Sequence, residues 1–286
     1  MRCQFIKLNA HVWPVVVQCD VLRVTRSAYY RWLKCPTSAR TFADDRLAEE
    51  IKAIFETSQK TYGSKRIKPA LRERNEICSR RRISRIMRNA GLFAKQRRKF
   101  VTTTDSKHDL PVADNLLNRQ FDCDEINCVW TSDITYVPTA EGWLYLAAIL
   151  DLGSRRIVSW AMSDRIDSDL VCAALNSAVA NRHPAKGLLL HSDRGCQYAS
   201  HKYRELLAGH GIIQSMSRKG NCWDNAPMES FFHSLKVEWL HGSRFKTRAE
   251  AKTRIFEYIE VWYNRKRLHS ALNYQSPSSY EMRLAV

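Results

Sequence analysis

The chain has 286 residues, 44% of them hydrophobic, with eight tryptophans, which is enough for one sizeable packed domain and a smaller companion. No apolar run approaches the roughly 18 residues that span a bilayer. The start MRCQFIKLNAHVWPVVVQCD is broken by Gln18, Cys19 and Asp20 with no small-residue cleavage site after it, so membrane insertion and export are not expected. The net charge of +17 sits in one third of the chain: residues 1–100 carry 24 Lys/Arg against 8 Asp/Glu, and residues 101–286 carry 22 against 21. That density suits a polyanion whose binding releases counterions, so nucleic acid is the expected partner rather than a membrane surface. Nine cysteines without a C-x-x-C pair argue against a zinc or redox site and for reduced thiols in the cytoplasm.

In chain order, residues 12–34 read as a short apolar helix, a turn, and a second helix capped by Thr25 or Ser27 and carrying Tyr29, Tyr30 and Trp32, either a helix-turn-helix or a plain helical hairpin. Residues 43–58 place Leu47, Ile51, Ile54 and Phe55 on one helical stripe, with Asp44 and Asp45 suited to its N-terminal dipole. The next stretch, with 16 basic and 3 acidic residues over 51–100, shows two helices separated near Asn75, with Ser79 as N-cap and Gly91 as C-cap of the second. This is a second helix-turn-helix pattern. It puts Arg80, Arg81, Arg82 and Arg85 at the start of a recognition helix, as candidate DNA-binding residues. Regular apolar spacing then lapses, and the reading divides the chain into a basic helical region 1–105, a linker 106–124 and a second domain 125–286.

From about 128 the rhythm turns to β-rich runs: CVWTSDITYV, WLYLAAILDL after a turn at Glu141 and Gly142, and RRIVSWAMS after Gly153. A helix near 168–182, a strand GLLLHSD, a helix near 199–210, a strand IIQSMS and a helix from about 225 follow. The order βββαβαβα predicts an α/β fold, a mixed sheet packed with helices, behind an N-terminal all-helical region.

Three acids stand where the local pattern needs no charge. Asp133 interrupts an apolar strand, Asp193 ends another, and Glu229 lies on a helix beside Phe231 and Phe232. If the first and fourth strands are neighbours, Asp133 and Asp193 project into one crevice that Glu229 closes. Three oxygen ligands suit Mg²⁺, and Mn²⁺ accepts the same donors. His233 and Lys236 follow Glu229 on the same helical face, where Lys236 is a candidate for holding DNA phosphate. Asn225, one turn earlier, is placed to orient Glu229, with Trp223 and Asp224 in the approach loop. Gly195, Gln197 and Tyr198 form either a turn whose amides reach phosphate or a tight loop whose Tyr198 packs in the core. Further on, Ile255, Tyr258, Ile259 and Trp262 share a face that ends in Arg265, Lys266 and Arg267, a basic end available to DNA.

The 35 residues between Asp193 and Glu229, with the words WTSDITYVP, HSDRGCQYAS, GNCWDNAPMESFFHSLKVE, WYNRKRLHSALNYQSPSSYE, YGSKRI and SRIMRNAGL, closely resemble the second-frame (OrfB-type) insertion-sequence transposases with a retroviral-integrase-like core. The resemblance covers nearly the whole chain. It implies an RNase H-like fold with catalytic, metal-holding Asp133, Asp193 and Glu229, and Lys236 at a basic position of the family. It also implies water cleavage at an element's end, then attack of the freed 3′-hydroxyl on another phosphodiester without a covalent enzyme intermediate. Implied partners are double-stranded DNA (terminal repeats and target), an upstream-frame product or frameshift fusion, and further copies of the chain on DNA, in the cytoplasm and on the nucleoid. Arg194 and Cys196 depart from the family's usual words. The rival readings are an RNase H-like nuclease that only hydrolyses and a non-cutting regulator that binds DNA ends.

Overall fold

The computed structural model describes residues 1–34, 39–95, 110–219 and 221–284. It divides into two compact units, Met1–Thr57 with Tyr62–Phe93, and Ser58–Thr61 with Ala94–Val286. The boundary read at 105/106 and residues 106–109 of the linker lie outside the described residues.

The first unit is all helical: α1 (Arg2–Leu8), α2 (Val15–Val21), α3 (Arg26–Lys34), α4 (Ala39–Thr57), α5 (Ser64–Glu73) and α6 (Arg80–Asn89). The helix pair expected over 12–34 is α2 and α3, and Thr25 Oγ1 accepts the Ala28 amide at 3.3 Å as an N-cap does. A third helix, α1, was hidden by its lack of a start signal. Its Ile6 joins Cys19 and Tyr29 in a small core. The stripe Leu47, Ile51, Ile54 and Phe55 is buried as its spacing demands. Because α4 starts at Ala39, Asp44 and Asp45 lie beyond its first turn, which holds no acid, so the dipole role does not apply to them. Both α5 and α6 end in left-handed residues, Asn75 at φ 61° and Gly91 at φ 67°. The Glu76 amide donates to the Leu71 carbonyl and the Leu92 amide to that of Met87, closing the last carbonyls of each helix. Ser79 caps α6 by accepting the Arg82 amide at 3.2 Å.

The second unit is built on β1 (Val129–Thr139), β2 (Gly142–Asp151) and β3 (Ile157–Ser163), then α7 (Ser168–Arg182), β4 (Leu189–Ser192), α8 (Cys196–Ala199), α9 (His201–Gly209) and β5 (Ile213–Met216). One five-stranded sheet results, in the order β3-β2-β1-β4-β5. The first three strands form an antiparallel meander, while β4 and β5 run parallel to β1. This is the mixed sheet that the order of elements predicted, with the RNase H-like topology that the family resemblance implied. The helix expected near 199–210 is α9, capped at Tyr203 by the hydroxyl of Ser200, whose extended backbone separates it from the short α8 before it. Strand β2 is covered on both faces, which explains its unbroken apolar run. Ala147 and Ile149 pack in a cluster with Leu170, Ala174 and Leu175 of α7, whereas Leu150 shares a cavity wall with Phe231 and Tyr263.

Beyond the sheet, α10 (Ala226–Ser234) runs into a π-helical turn at Leu235–Leu240, α11 (Arg248–Phe256) into another at Glu257–Tyr263, and α12 (Pro277–Leu284) closes the described chain. Their shared core is aromatic, with Phe231 edge-on to Tyr263 at 4.9 Å and Trp239 stacked on Trp262 at 6.1 Å. The expected basic end divides here. Arg265 and Lys266 are exposed, but Arg267 is buried and donates to both Glu238 oxygens at 2.7 Å, so it serves the core. From residue 110 the chain lies along β5: the Leu116 and Leu117 amides donate to Ser215 Oγ, and Leu117 is buried.

Candidate active site

Asp133 lies in the middle of β1, opposite Ala148 of β2. On its other side β1 pairs with β4 as far as Thr131 with His191, and two further residues along that register bring Asp133 level with Asp193. In-register residues of parallel neighbours point to the same face. The Asp133 carboxylate accepts the Ile134 amide at 2.8 Å, and that of Asp193 accepts the Gly195 amide at 2.9 Å. A Cβ at position 195 would stand 2.9 Å from Gln197 Oε1 and 3.1 Å from Asp193 Oδ1, so glycine lets the chain close around this acid.

Glu229 sits in the first turn of α10, which packs against β1. Lys236 lies in the π turn beyond it, its ammonium 5.0 Å from the centre of the Tyr136 ring on β1. The π turn breaks the simple two-turn spacing from Glu229, yet Lys236 remains close enough to act electrostatically on Asp133.

The electrostatics tie the four groups together. Burial pushes the Asp133 carboxyl well above the usual carboxylate range; the negative charge of Asp193 adds to this, as does that of Glu229, while the Ile134 amide and Lys236 oppose it. Burial also raises Glu229. It lowers Lys236, against the pull of Asp133. Asp133 thus lies in the field of two further acids and one ammonium. The carboxylate oxygens are the hard donors that Mg²⁺ or Mn²⁺ prefers. Among the described residues no three His, Cys, Asp or Glu side chains are drawn together tightly enough to form a metal cage as they stand.

Residues around the acids hold the strands and loops in place. Tyr198 is buried, its hydroxyl 2.9 Å from Ser132 Oγ, so of its two readings the core role holds. Asn225 does not reach back to Glu229. Its amide donates to the Ser132 carbonyl at 3.0 Å and ties the entry of α10 to the residue before Asp133. His191 is buried between Ser215 Oγ at 2.9 Å and Ser217 Oγ at 3.1 Å, and burial pushes its ring down to about 4. Asp224 is a buried hub that accepts from Arg218, Arg119 and Asn115, and the Arg218 guanidinium holds its carboxyl well below the usual range. Sequence reasoning noted Asp224 only as a loop residue. Its partners at 115 and 119 lie far away along the chain, with no local spacing to announce them.

In the other unit, Arg80 and Arg81 are exposed at the start of α6. Arg82 and Arg85 both bind Asp44, at 2.7 and 2.6 Å, and Arg85, with Arg82, holds that carboxyl below its usual range. One carboxylate facing two guanidiniums still leaves the helix start positive.

Comparison with known proteins matches this arrangement. An integrase core domain model matches residues 124–222 and a second, also described as an integrase core domain, matches 229–284, with an HTH-like domain at 43–100. Fold and family models therefore define an integrase-type core preceded by a helix-turn-helix-like region. An uncharacterized 31 kDa protein of insertion element IS600 from Shigella sonnei is 47% identical over 262 residues, covering 92% of this chain and 96% of its own. Transposase InsF of insertion sequence IS3A from Escherichia coli K12 is 40% identical over 283 residues, 98% of each chain. The chain belongs to the OrfB-type family of insertion-sequence transposases that includes the IS3 InsF proteins. Among solved structures, the catalytic core domain of BIV integrase is similar with a TM-score of 0.42 and 15% identity, over 56% of this chain and 96% of that one. Among the described residues no helix is long and apolar enough to cross a membrane.

Proposed function

We propose that this chain cleaves DNA at the ends of an insertion sequence and joins the freed 3′-hydroxyl to target DNA, with Asp133, Asp193 and Glu229 as its catalytic carboxylates. The observation that carries this is the parallel register of β1 and β4, which brings Asp133 level with Asp193, together with the packing of α10, with Glu229 in its first turn, against β1. A pair of Mg²⁺ ions held by these acids would supply a lowered pKa for the attacking hydroxyl and charge neutralisation for the leaving oxygen. The acids hold this charge in place, and Asn225 and Tyr198 fix the strand that carries Asp133. Lys236, stacked over Tyr136, binds a non-bridging phosphate oxygen of the strand being cut. Water first breaks the P–O3′ bond at the element's end; the released 3′-hydroxyl then attacks a target phosphodiester, forming one P–O bond and releasing one 3′-hydroxyl.

Residues 1–105 hold terminal-repeat DNA, with Arg80, Arg81, Arg82 and Arg85 facing the duplex, and 106–124 connect them to the catalytic core at 125–286. Assembly on two ends calls for further copies of the chain and for the upstream-frame product, as partner or fusion. The test is product analysis: the full chain, with and without that product, incubated in Mg²⁺ with labelled element ends and a target plasmid. Joined product is expected. Cut but unjoined ends would turn the reading to a nuclease, and tight binding without cutting to a regulator of the ends.

A further inference from the structure

We propose that Trp223 is a stacking platform for a nucleobase displaced from the DNA duplex beside the scissile phosphate, a role that rests on the strand-transfer reading above. Trp223 is 66% exposed, although the next two residues, Asp224 and Asn225, are buried. An indole held out in water on a buried foundation presents an open aromatic face on which a flat apolar group can stack.

The foundation fixes where the indole stands. On one side, the Ser217 amide donates to the Ser192 carbonyl at 2.9 Å, and Ser192 precedes Asp193. On the other, Asn225 donates to the carbonyl of Ser132, which precedes Asp133. The segment bearing Trp223 is thus stapled one residue away from each of two site acids. Asp224 stiffens it further, accepting the Arg218 amide at 2.9 Å, the Arg218 guanidinium at 2.9 and 2.8 Å, Arg119 at 2.7 Å and Asn115 at 2.9 Å. Arg119 also donates to Asn221 Oδ1 at 2.8 Å.

The charge around it selects the occupant. Two guanidiniums share the carboxylate of Asp224, the residue that follows Trp223, so the loop carries more positive than negative charge, and exposed Lys219 of the same segment adds another. An exposed aromatic face on a basic loop is the combination that takes a nucleobase and its backbone phosphate. A base drawn out of the stack at this point loosens the duplex and lets the neighbouring phosphate descend toward the acids. The indole face offsets the cost of unstacking.

The test is photochemical and does not depend on catalysis. Full-length protein is bound to element-end duplexes carrying 5-iododeoxyuridine at each position flanking the scissile phosphate and is irradiated, and the cross-linked peptide is mapped. In parallel, Mg²⁺-dependent cleavage is measured for the parent, Trp223→Ala and Trp223→Phe on paired ends and on ends with a mismatch at the same position. The expected results are a cross-link at Trp223 from one position and cleavage reduced roughly ten- to hundredfold by Trp223→Ala but largely retained by Trp223→Phe. The mismatch, which unpairs the base in advance, should partly restore Trp223→Ala. Unchanged thermal unfolding of both variants would show that the fold is intact. A parent that cross-links at Trp223 but never joins ends leaves this inference standing and removes the strand-transfer reading. A parent that cuts without any cross-link at Trp223, or a Trp223→Ala variant that cuts paired ends at the parent rate, overturns it. So does a Trp223→Ala variant that changes the association state of the free protein while the DNA cross-link maps elsewhere, since the indole is then a contact between copies.

Discussion

Arg267→Met is expected to unfold the catalytic unit at a much lower temperature. Arg267 and Glu238 are 3% and 7% exposed, and both guanidinium–carboxylate hydrogen bonds are 2.7 Å long. Burial works against the charge on Arg267, but the Glu238 carboxylate more than offsets it, so the guanidinium holds its proton more tightly than usual. Removing the arginine leaves Glu238 in the interior without its guanidinium, and breaking one side of a buried pair costs about 3–5 kcal/mol. At roughly 2–4 °C per kcal/mol for a unit of this size, the melting temperature should fall by on the order of 10 °C. Arg267 also donates to Ser234 Oγ at 3.0 Å, so it bridges the last residue of α10 and the π turn that carries Lys236. Joining activity should fall with stability. Pairing Arg267→Met with Glu238→Leu removes both charges and should recover most of the loss, because a well-packed apolar pair often matches a buried ion pair. The assay is thermal unfolding of the parent, each single variant and the double variant, read as a double-mutant cycle. A loss under about 1 kcal/mol for Arg267→Met, or a double variant equal to the sum of the singles, would refute the reasoning.

Other expectations follow from the same geometry. His191 has its ring pushed by burial from 6.5 to about 4, so below pH 6.5 the unfolded chain binds a proton that the folded one refuses. Its contribution, about 3 kcal/mol, is fully present above pH 6.5 and lost as pH falls toward 4; an NMR titration in which the His191 ring charges near pH 6.5 in the folded protein would contradict this. Lys236→Ala should lower joining about ten- to hundredfold, the worth of one charge-assisted hydrogen bond to phosphate, while Lys236→Arg retains most activity. Equal rates for the parent and Lys236→Ala under single-turnover conditions would remove that role. Tyr198→Phe loses the buried hydrogen bond to Ser132 and should cost about 1 kcal/mol in denaturant unfolding. An unchanged midpoint would mean that the bond adds nothing.

The features legible in the sequence are those that local periodicity and punctuation encode. The alternation in TSDITYV, the unbroken apolar run of β2 and the cap at Ser79 each follow from a few neighbouring residues, and the sheet they build makes neighbours of Asp133 and Asp193. The two acids stood out because an apolar strand has no local use for a charge. What the sequence hides is the choice of distant partners among many identical side chains. Asp44 looks like a helix-dipole residue until α6 brings Arg82 and Arg85 to it from 38 and 41 residues away. Arg267 reads as one more cation in a basic tail until Glu238, 29 residues earlier, meets it in the core. Asn225 is spaced one turn before Glu229, but the sheet offers it the Ser132 carbonyl, and a buried carbonyl with a lone pair to fill is the better partner. The two π turns have no sequence signal of this local kind, and one of them sets the position of Lys236.

The most direct test of the central claim is strand transfer in Mg²⁺ by the parent and by Glu229→Gln, compared at matched occupancy of labelled element ends. Glutamine keeps the shape of the side chain and removes its charge, so DNA binding should survive. The account predicts joined product from the parent and none from the variant. A Glu229→Gln protein that joins ends as well as the parent would contradict it, because the acid that closes the site would then have no part in the chemistry.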